Sequence, residues 1–104
     1  MGRISNKALL EKITKYLLDK GFRPNIKGFK YLRKAIELTI KNGCEAIPMT
    51  KEMYPRVATE FADTPARVER AMRHAIQTSL IDGQTNSEFV ARASLDICMK
   101  KMGE

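Results

Sequence analysis

The stretch TPARVERAMRHAI, residues 64–76, holds Arg67, Glu69, Arg70, Arg73 and the chain's single histidine, His74. A guanidinium presents a planar fork of donors that fits phosphate oxygens or the O6/N7 edge of guanine. A carboxylate in the same patch can accept from a cytosine amino group, and an imidazole can approach a phosphate. The spacing decides whether these groups act together. Stepping about 100° per residue along a helix gathers Val68, Met72, Ala75, Ile76 and Ser79 on one side. Ala66, Arg70, Arg73, His74 and Gln77 gather on the other, flanked by Arg67 and Glu69. An ordinary solvated helix face mixes Glu with Lys near balance; this one is dominated by arginine, which suits an anionic partner.

The residues before this helix indicate how it is presented. VATEFADTPARVERA places Ala58, Ala62 and Val68 at helix-turn-helix spacing. A small residue on the first helix lets the second pack closely, a small residue occupies the turn, and a β-branched residue anchors the second helix. Val57, Phe61 and Ala71 are expected in the shared core. The turn position is Ala62, where Gly is commoner. In this motif the N-terminal part of the second helix enters the major groove of DNA. Arg67, Glu69 and Arg70 are therefore the candidate base readers. Arg73 and His74 are candidate phosphate contacts, joined by the amides after Thr64 at the positive end of the helix dipole, and by Lys51, which opens the first helix of the motif. Two alternatives stay open: Glu69 as an (i, i+4) salt bridge with Arg73, and His74 as a solvated residue with no special role.

Supporting elements follow the same 3.6-residue rule. SNKALLEKITKYLLDKG reads as a helix with Ser5 as N-cap, a stripe of Leu9, Leu10, Ile13, Leu17 and Leu18, and Gly21 at its C-terminal end. IKGFKYLRKAIELTIKNG is a second helix on Phe29, Leu32, Ile36 and Ile40, with Gly28 in its first turn and Asn42–Gly43 ending it. CEAIP is a loop. A third helix, capped by Thr50, runs to about Phe61, with Pro55 tolerated near its start. Thr64 caps the fourth, with Pro65 at the favoured first position; it runs to about Leu80 or Ile81. After the DGQ turn, Thr85 and Glu88 form a capping box for a last helix with Phe89, Val90, Ala93 and Ile97 inside. No segment alternates with period two. The reading is a single all-α domain over residues 1–104, of five or six helices, with the helix-turn-helix at about residues 50–81.

The composition is consistent with that reading. With 43% hydrophobic residues in 104, a core is affordable and global disorder is excluded. The net charge of +7 lies entirely in residues 1–50, which hold eleven Lys/Arg against four Asp/Glu. Lys27, Lys30, Arg33 and Lys34 in that half are candidate phosphate contacts beside the motif, against the plainer reading of a solvated helix face. Cys44 and Cys98 make no disulfide framework in a chain this long, and reduced thiols in a cytoplasm fit. No CxxC accompanies the single His, so no metal site is expected, nor any cofactor. No apolar run could span a bilayer, and no signal peptide or myristoylation pattern is visible.

Beyond these patterns, the chain resembles the C-terminal effector domain of the sporulation stage-zero response regulator. IKGFKYLRKAI, MTKEMYP, ATEFADTPARVERAMRHAI and TNSEF carry the resemblance, which covers most of residues 26–89. It implies an all-helical DNA-binding domain, a TGTCGAA-like target box, and head-to-tail binding by two copies. It also implies Arg67, Glu69 and Arg70 as base readers, with Arg73 and His74 by the backbone. Two departures accompany it. The resembling regulator carries a receiver domain for which these residues leave no room, so a stand-alone relative and a fragment of a longer regulator are both open. Its longer segment before the final helix, associated with RNA polymerase, is reduced here to about IDGQ, which puts polymerase contact in doubt. A binder that represses or competes is expected ahead of an activator.

Other function classes fit less well. An enzyme would need paired carboxylates, a Cys–His arrangement or a phosphate-cradling glycine loop, and none is legible. The main alternative is a helical protein-interaction module that pairs with a full-length regulator without reading DNA. A non-specific nucleic-acid binder is the third reading; an acidic Glu69 on the groove face argues against it, because it weakens phosphate affinity and serves mainly to discriminate.

Overall fold

The structure, a computed structural model, describes residues 6–103 and the side chains of residues 6–99. Among these there are five α-helices and no strand: α1 (Asn6–Asp19), α2 (Lys27–Lys41), α3 (Tyr54–Glu60), α4 (Pro65–Gln77) and α5 (Asn86–Gly103). A wide turn, Met49–Met53, leads into α3. The all-α reading holds. One cluster of buried apolar side chains, from Leu9 on α1 to Ile97 on α5, joins all five helices.

In α1, Leu9, Ile13 and Leu17 are buried, Leu10 is half-buried and Leu18 is 47% exposed. The apolar stripe is thus narrower than the leucine pattern suggested, because Leu18 falls about 100° beyond Leu17, past the neighbouring helices. The proposed cap Ser5 lies outside the described residues. At the other end Gly21 adopts φ +85°, a conformation disfavoured for L-residues. The amide of Phe22 returns to the Leu17 carbonyl (3.0 Å) and that of Gly21 to Leu18 (3.0 Å), and Phe22 turns into the core. This pairing satisfies carbonyls that the helix end would otherwise orphan.

The close approach of α2 and α4 organises the fold. Gly28 lies in the first turn of α2, and a Cβ placed there would come 2.2 Å from the Ala71 carbonyl oxygen and 2.8 Å from the Ala75 Cβ. Only a residue without a side chain lets the two backbones meet. Further along α2, Phe29, Leu32, Ala35 and Ile36 are buried and Ile40 is half-buried. Gly43 and Cys44 both take positive φ, +73° and +65°. Two consecutive left-handed residues turn the chain back over α5, where Cys44 and Cys98 form a disulfide with Cα atoms 6.8 Å apart. This differs from the reading of both cysteines as free thiols: a bond between residues 54 apart leaves no trace in local spacing.

The third helix also departs from expectation. Thr50 does not cap it. The Glu52 and Met53 amides donate instead to the Pro48 carbonyl (3.1 and 2.9 Å). Pro55 has no N–H to give the carbonyl four residues back, so the chain widens into the 49–53 turn before α3 begins. The fourth helix stops at Gln77, short of Leu80 or Ile81. Thr78 and Ser79 end it: their hydroxyls donate to the Ala75 and Ile76 carbonyls (3.1 and 2.7 Å), and Ser79 Oγ then accepts from the Ile81 amide (3.1 Å). The Leu80 amide donates to the Lys20 carbonyl (3.1 Å), tying this connection to the end of α1. The capping box of α5 is reciprocal: Glu88 N–H donates to Thr85 Oγ1 (3.1 Å) and Thr85 N–H to Glu88 Oε1 (3.0 Å). Phe89, Val90, Ala93 and Ile97 are its buried face.

Gly28→Ala is expected to destabilise the protein by about 1–3 kcal/mol, because the α4 backbone cannot yield to a methyl group. That outweighs the roughly 1 kcal/mol that Ala gains over Gly in a helix. Chemical denaturation measures it; an unchanged or raised midpoint would mean that α2 and α4 are not in contact at this point.

Candidate nucleic-acid interface

α3, the turn at residues 61–64 and α4 form the helix-turn-helix that the alanine spacing indicated. Ala58 and Val68 are buried, and Phe61 and Ala71 pack partly buried against the core beside buried Val57. Ala62 takes φ +54°. A left-handed L-residue costs about 1–2 kcal/mol, which accounts for the usual preference for Gly at this place. Thr64 sits in extended conformation, and its Oγ1 accepts from the Arg67 amide (3.2 Å). The Val68 amide donates to the Thr64 carbonyl (2.9 Å), and Pro65 has no amide hydrogen. Of the amides expected to face a phosphate, this leaves that of Ala66.

A residue the sequence patterns did not single out fixes this turn. Asp63 accepts from the Thr64 amide (2.8 Å) and from the Tyr31 hydroxyl of α2. Lys27 and Arg67 each lie 3.9 Å from its carboxylate. The Tyr31 bond, then the Thr64 amide and the two cations, hold the Asp63 carboxyl below the usual carboxylate range. Burial and the same bond push the Tyr31 hydroxyl up to about 12. The start of α4 is thus locked onto α2 by a phenol–carboxylate bond spanning 32 residues.

α4 carries its expected faces. Val68, Met72, Ala75 and Ile76 are buried, whereas Ala66, Arg67, Arg70, Arg73, His74 and Gln77 are exposed. Arg70 has no acidic group within 4.0 Å among the described residues. Arg67 reaches only the distant Asp63, with its side chain 73% exposed. Glu69 is half-buried and pairs with Arg73 at 3.4 Å, so the (i, i+4) salt bridge forms in the free protein.

The basic residues outside α4 differ in what holds them. Lys27 and Lys30, at the start of α2, lie beside the turn: Lys27 by Asp63, and Lys30 with its ammonium 5.1 Å from the Phe61 ring centre. Both are exposed. Arg33 turns to α1, donating to Thr14 Oγ1 (3.2 Å). Lys34 is held by Glu37 (3.3 Å) and Glu60 (3.9 Å). Lys51 is exposed but belongs to the 49–53 turn rather than to a helix start.

A second unpredicted residue braces α4. The Asn86 side chain, at the start of α5, donates to the Tyr54 hydroxyl and to the Glu69 main-chain carbonyl, both at 3.1 Å. Asp63 in ADTP and Asn86 in TNSE stand beside capping residues, a local clue to turns, but their partners are remote in sequence. Among the described residues no cluster of three His, Cys, Asp or Glu side chains could hold a metal, and no helix is long and apolar enough to cross a membrane.

The sequence profile of the family described as Sporulation initiation factor Spo0A C terminal matches residues 13–95. The chain belongs to that family, a family of DNA-binding effector domains of a sporulation transcription regulator and not an enzyme family.

Asp63→Asn is expected to destabilise the protein at neutral pH. The folded carboxyl is depressed relative to an unfolded value near about 4, so its contribution is present above that value and is lost as pH falls through the lower, folded one. Denaturation of both proteins from pH 7 to 2 should show the gap narrowing below about pH 4. A gap independent of pH would mean that Asp63 acts without its charge.

Proposed function

We propose that this member of the Spo0A C-terminal family binds double-stranded DNA sequence-specifically, as a single domain, with α4 in the major groove. The observation that carries the reading is the outward face of α4. Arg70 stands at its centre with no acidic partner among the described residues, and the helix start is locked to α2 through Asp63 and Tyr31. Side chains that read bases must be held while remaining uncommitted, and this arrangement meets both conditions.

Arg67 and Arg70 read base edges. Glu69 can join them by exchanging Arg73 for a cytosine amino group, at modest cost because a partly exposed ion pair is weak. Thr64, the Ala66 amide, Arg73 and His74 meet phosphates along one strand, and Lys51 meets the backbone crossed by the first half of the motif. Lys27 and Lys30 extend the contact on the turn side, whereas Arg33 and Lys34, committed to other partners, do not. The target is a TGTCGAA-like box, bound head to tail by two copies, in the cytoplasm on the nucleoid. The connection between α4 and α5 is short, which favours competition or repression over activation through polymerase.

Arg70→Ala is expected to cost about 1–3 kcal/mol at one base position and to relax preference there. Binding to a panel of single-substitution duplexes measures this; a uniform loss on all of them would move Arg70 to the backbone. Neutralising Lys30 should reduce the salt slope of binding by about one, and neutralising Lys34 should leave it unchanged. Equal slopes in both variants would contradict this sorting, and salt-independent, non-selective behaviour of the unaltered chain would favour the interaction module.

A further inference from the structure

Asn86 is 6% exposed and makes contacts that capping of its own helix does not require. Thr85 and Glu88 already cap α5. Both bonds recorded for the Asn86 amide nitrogen leave that helix, one to Tyr54 at the start of α3 and one to the Glu69 carbonyl in the middle of α4. A helical carbonyl keeps a second lone pair after serving the amide four residues ahead, so the bond adds to α4 without opening it. One side-chain amide therefore clasps both helices of the helix-turn-helix. Its grip on α4 falls between the two arginines, Arg67 and Arg70, that face outward.

The Asn86 Oδ1 atom is buried and has no hydrogen-bond partner among the described residues. An unpaired buried acceptor costs stability, and an apolar side chain of similar size would avoid that cost. The residue is thus poorly explained as a stabiliser. What an apolar residue could not supply is a pair of directional donors that fix the rotation and height of α4 relative to α3. Base readout demands side chains held within fractions of an ångström and about 10–20° of the productive geometry. The first turn of α4 is fixed by Asp63 and Tyr31; the next turn is fixed by Asn86 from α5. The base α5 provides is firm, since Phe89, Val90 and Ala93 are buried and Cys98 is bonded to Cys44 in the turn after α2.

We infer that Asn86 is a positioning residue for sequence reading: its amide, bonded to the Glu69 carbonyl and the Tyr54 hydroxyl, sets the register of α4 against the bases. This rests on the proposed base-reading role of α4. The residue touches no DNA itself and contributes no charge, so its loss should separate selectivity from affinity in general.

The test uses the duplex that the unaltered chain enriches from a random pool, a scrambled duplex of the same composition, and the variants Asn86→Ala and Asn86→Asp. Both variants should lose about tenfold in affinity for the enriched duplex, the scale of one misread base pair. Asn86→Asp qualifies because a carboxylate cannot donate to a carbonyl. Affinity for the scrambled duplex and its salt slope should stay unchanged. Should either variant fail to fold, Tyr54→Phe deletes one of the two bonds while keeping the ring, and should show a smaller loss confined to the enriched duplex. Equal losses on both duplexes, or undiminished selectivity, would overturn the inference. A chain that never distinguishes the duplexes would instead overturn the base-reading proposal and this one with it, whereas a selective chain with equally selective variants would overturn this one alone.

Discussion

The contact between Gly28 and Ala71 is the constraint from which the rest of the arrangement follows. With the α2 backbone against that of α4, Tyr31, less than a turn further along α2, reaches Asp63 at the start of α4. The same approach brings Lys27 beside Asp63 and Lys30 over Phe61, so the basic start of α2 lies next to the turn. A side chain at position 28 would separate the helices and lose packing, the turn lock and the flanking charge together. Backbone contact of this kind is a rigid device: it has no rotamers to exchange and fixes the distance between two helices to that of their main chains.

Charge is distributed with equal economy. Acidic groups near the motif already have partners: Asp63 has Tyr31 and the Thr64 amide, Glu37 has Lys34 and Lys41, and Glu52, at the surface, has Arg56. Among the described residues, positive groups on the outward face of α4 are left without an acidic partner or weakly paired. The segment that contains α4 is neutral by count, five Lys/Arg against five Asp/Glu in residues 51–84. Its field arises from which side each charge faces. Net charge alone would have directed attention to the N-terminal half.

Most of the fold was legible because it rests on local rules. Helical periodicity found all five helices; Thr64, Gly21 and the Thr85–Glu88 pair marked ends that the structure keeps. Ala62 was legible only as a turn position where Gly is commoner; its positive φ accounts for that preference. What failed was where a side chain competes with the backbone: Pro55 widened the turn before α3, and Thr78 and Ser79 cut α4 short. Leu18 was counted as core because a run of leucines does not show where the neighbouring helices stop. At the site, the arginine face was legible from spacing within one helix. Its supports were not. Tyr31–Asp63 joins residues 32 apart, Asn86 reaches 17 and 32 residues back, and Cys44–Cys98 spans 54. Pairings of that range carry no period and become visible only when the helices are assembled.

The central claim is that α4 reads DNA from the major groove. Methylation interference tests it without altering the protein. Methyl groups on guanine N7 project into the major groove and those on adenine N3 into the minor groove. A duplex enriched by this chain should lose binding when guanine N7 is methylated within the box and tolerate methylation of adenine N3. Binding blocked by adenine N3 methylation alone, or indifferent to both, would contradict the account.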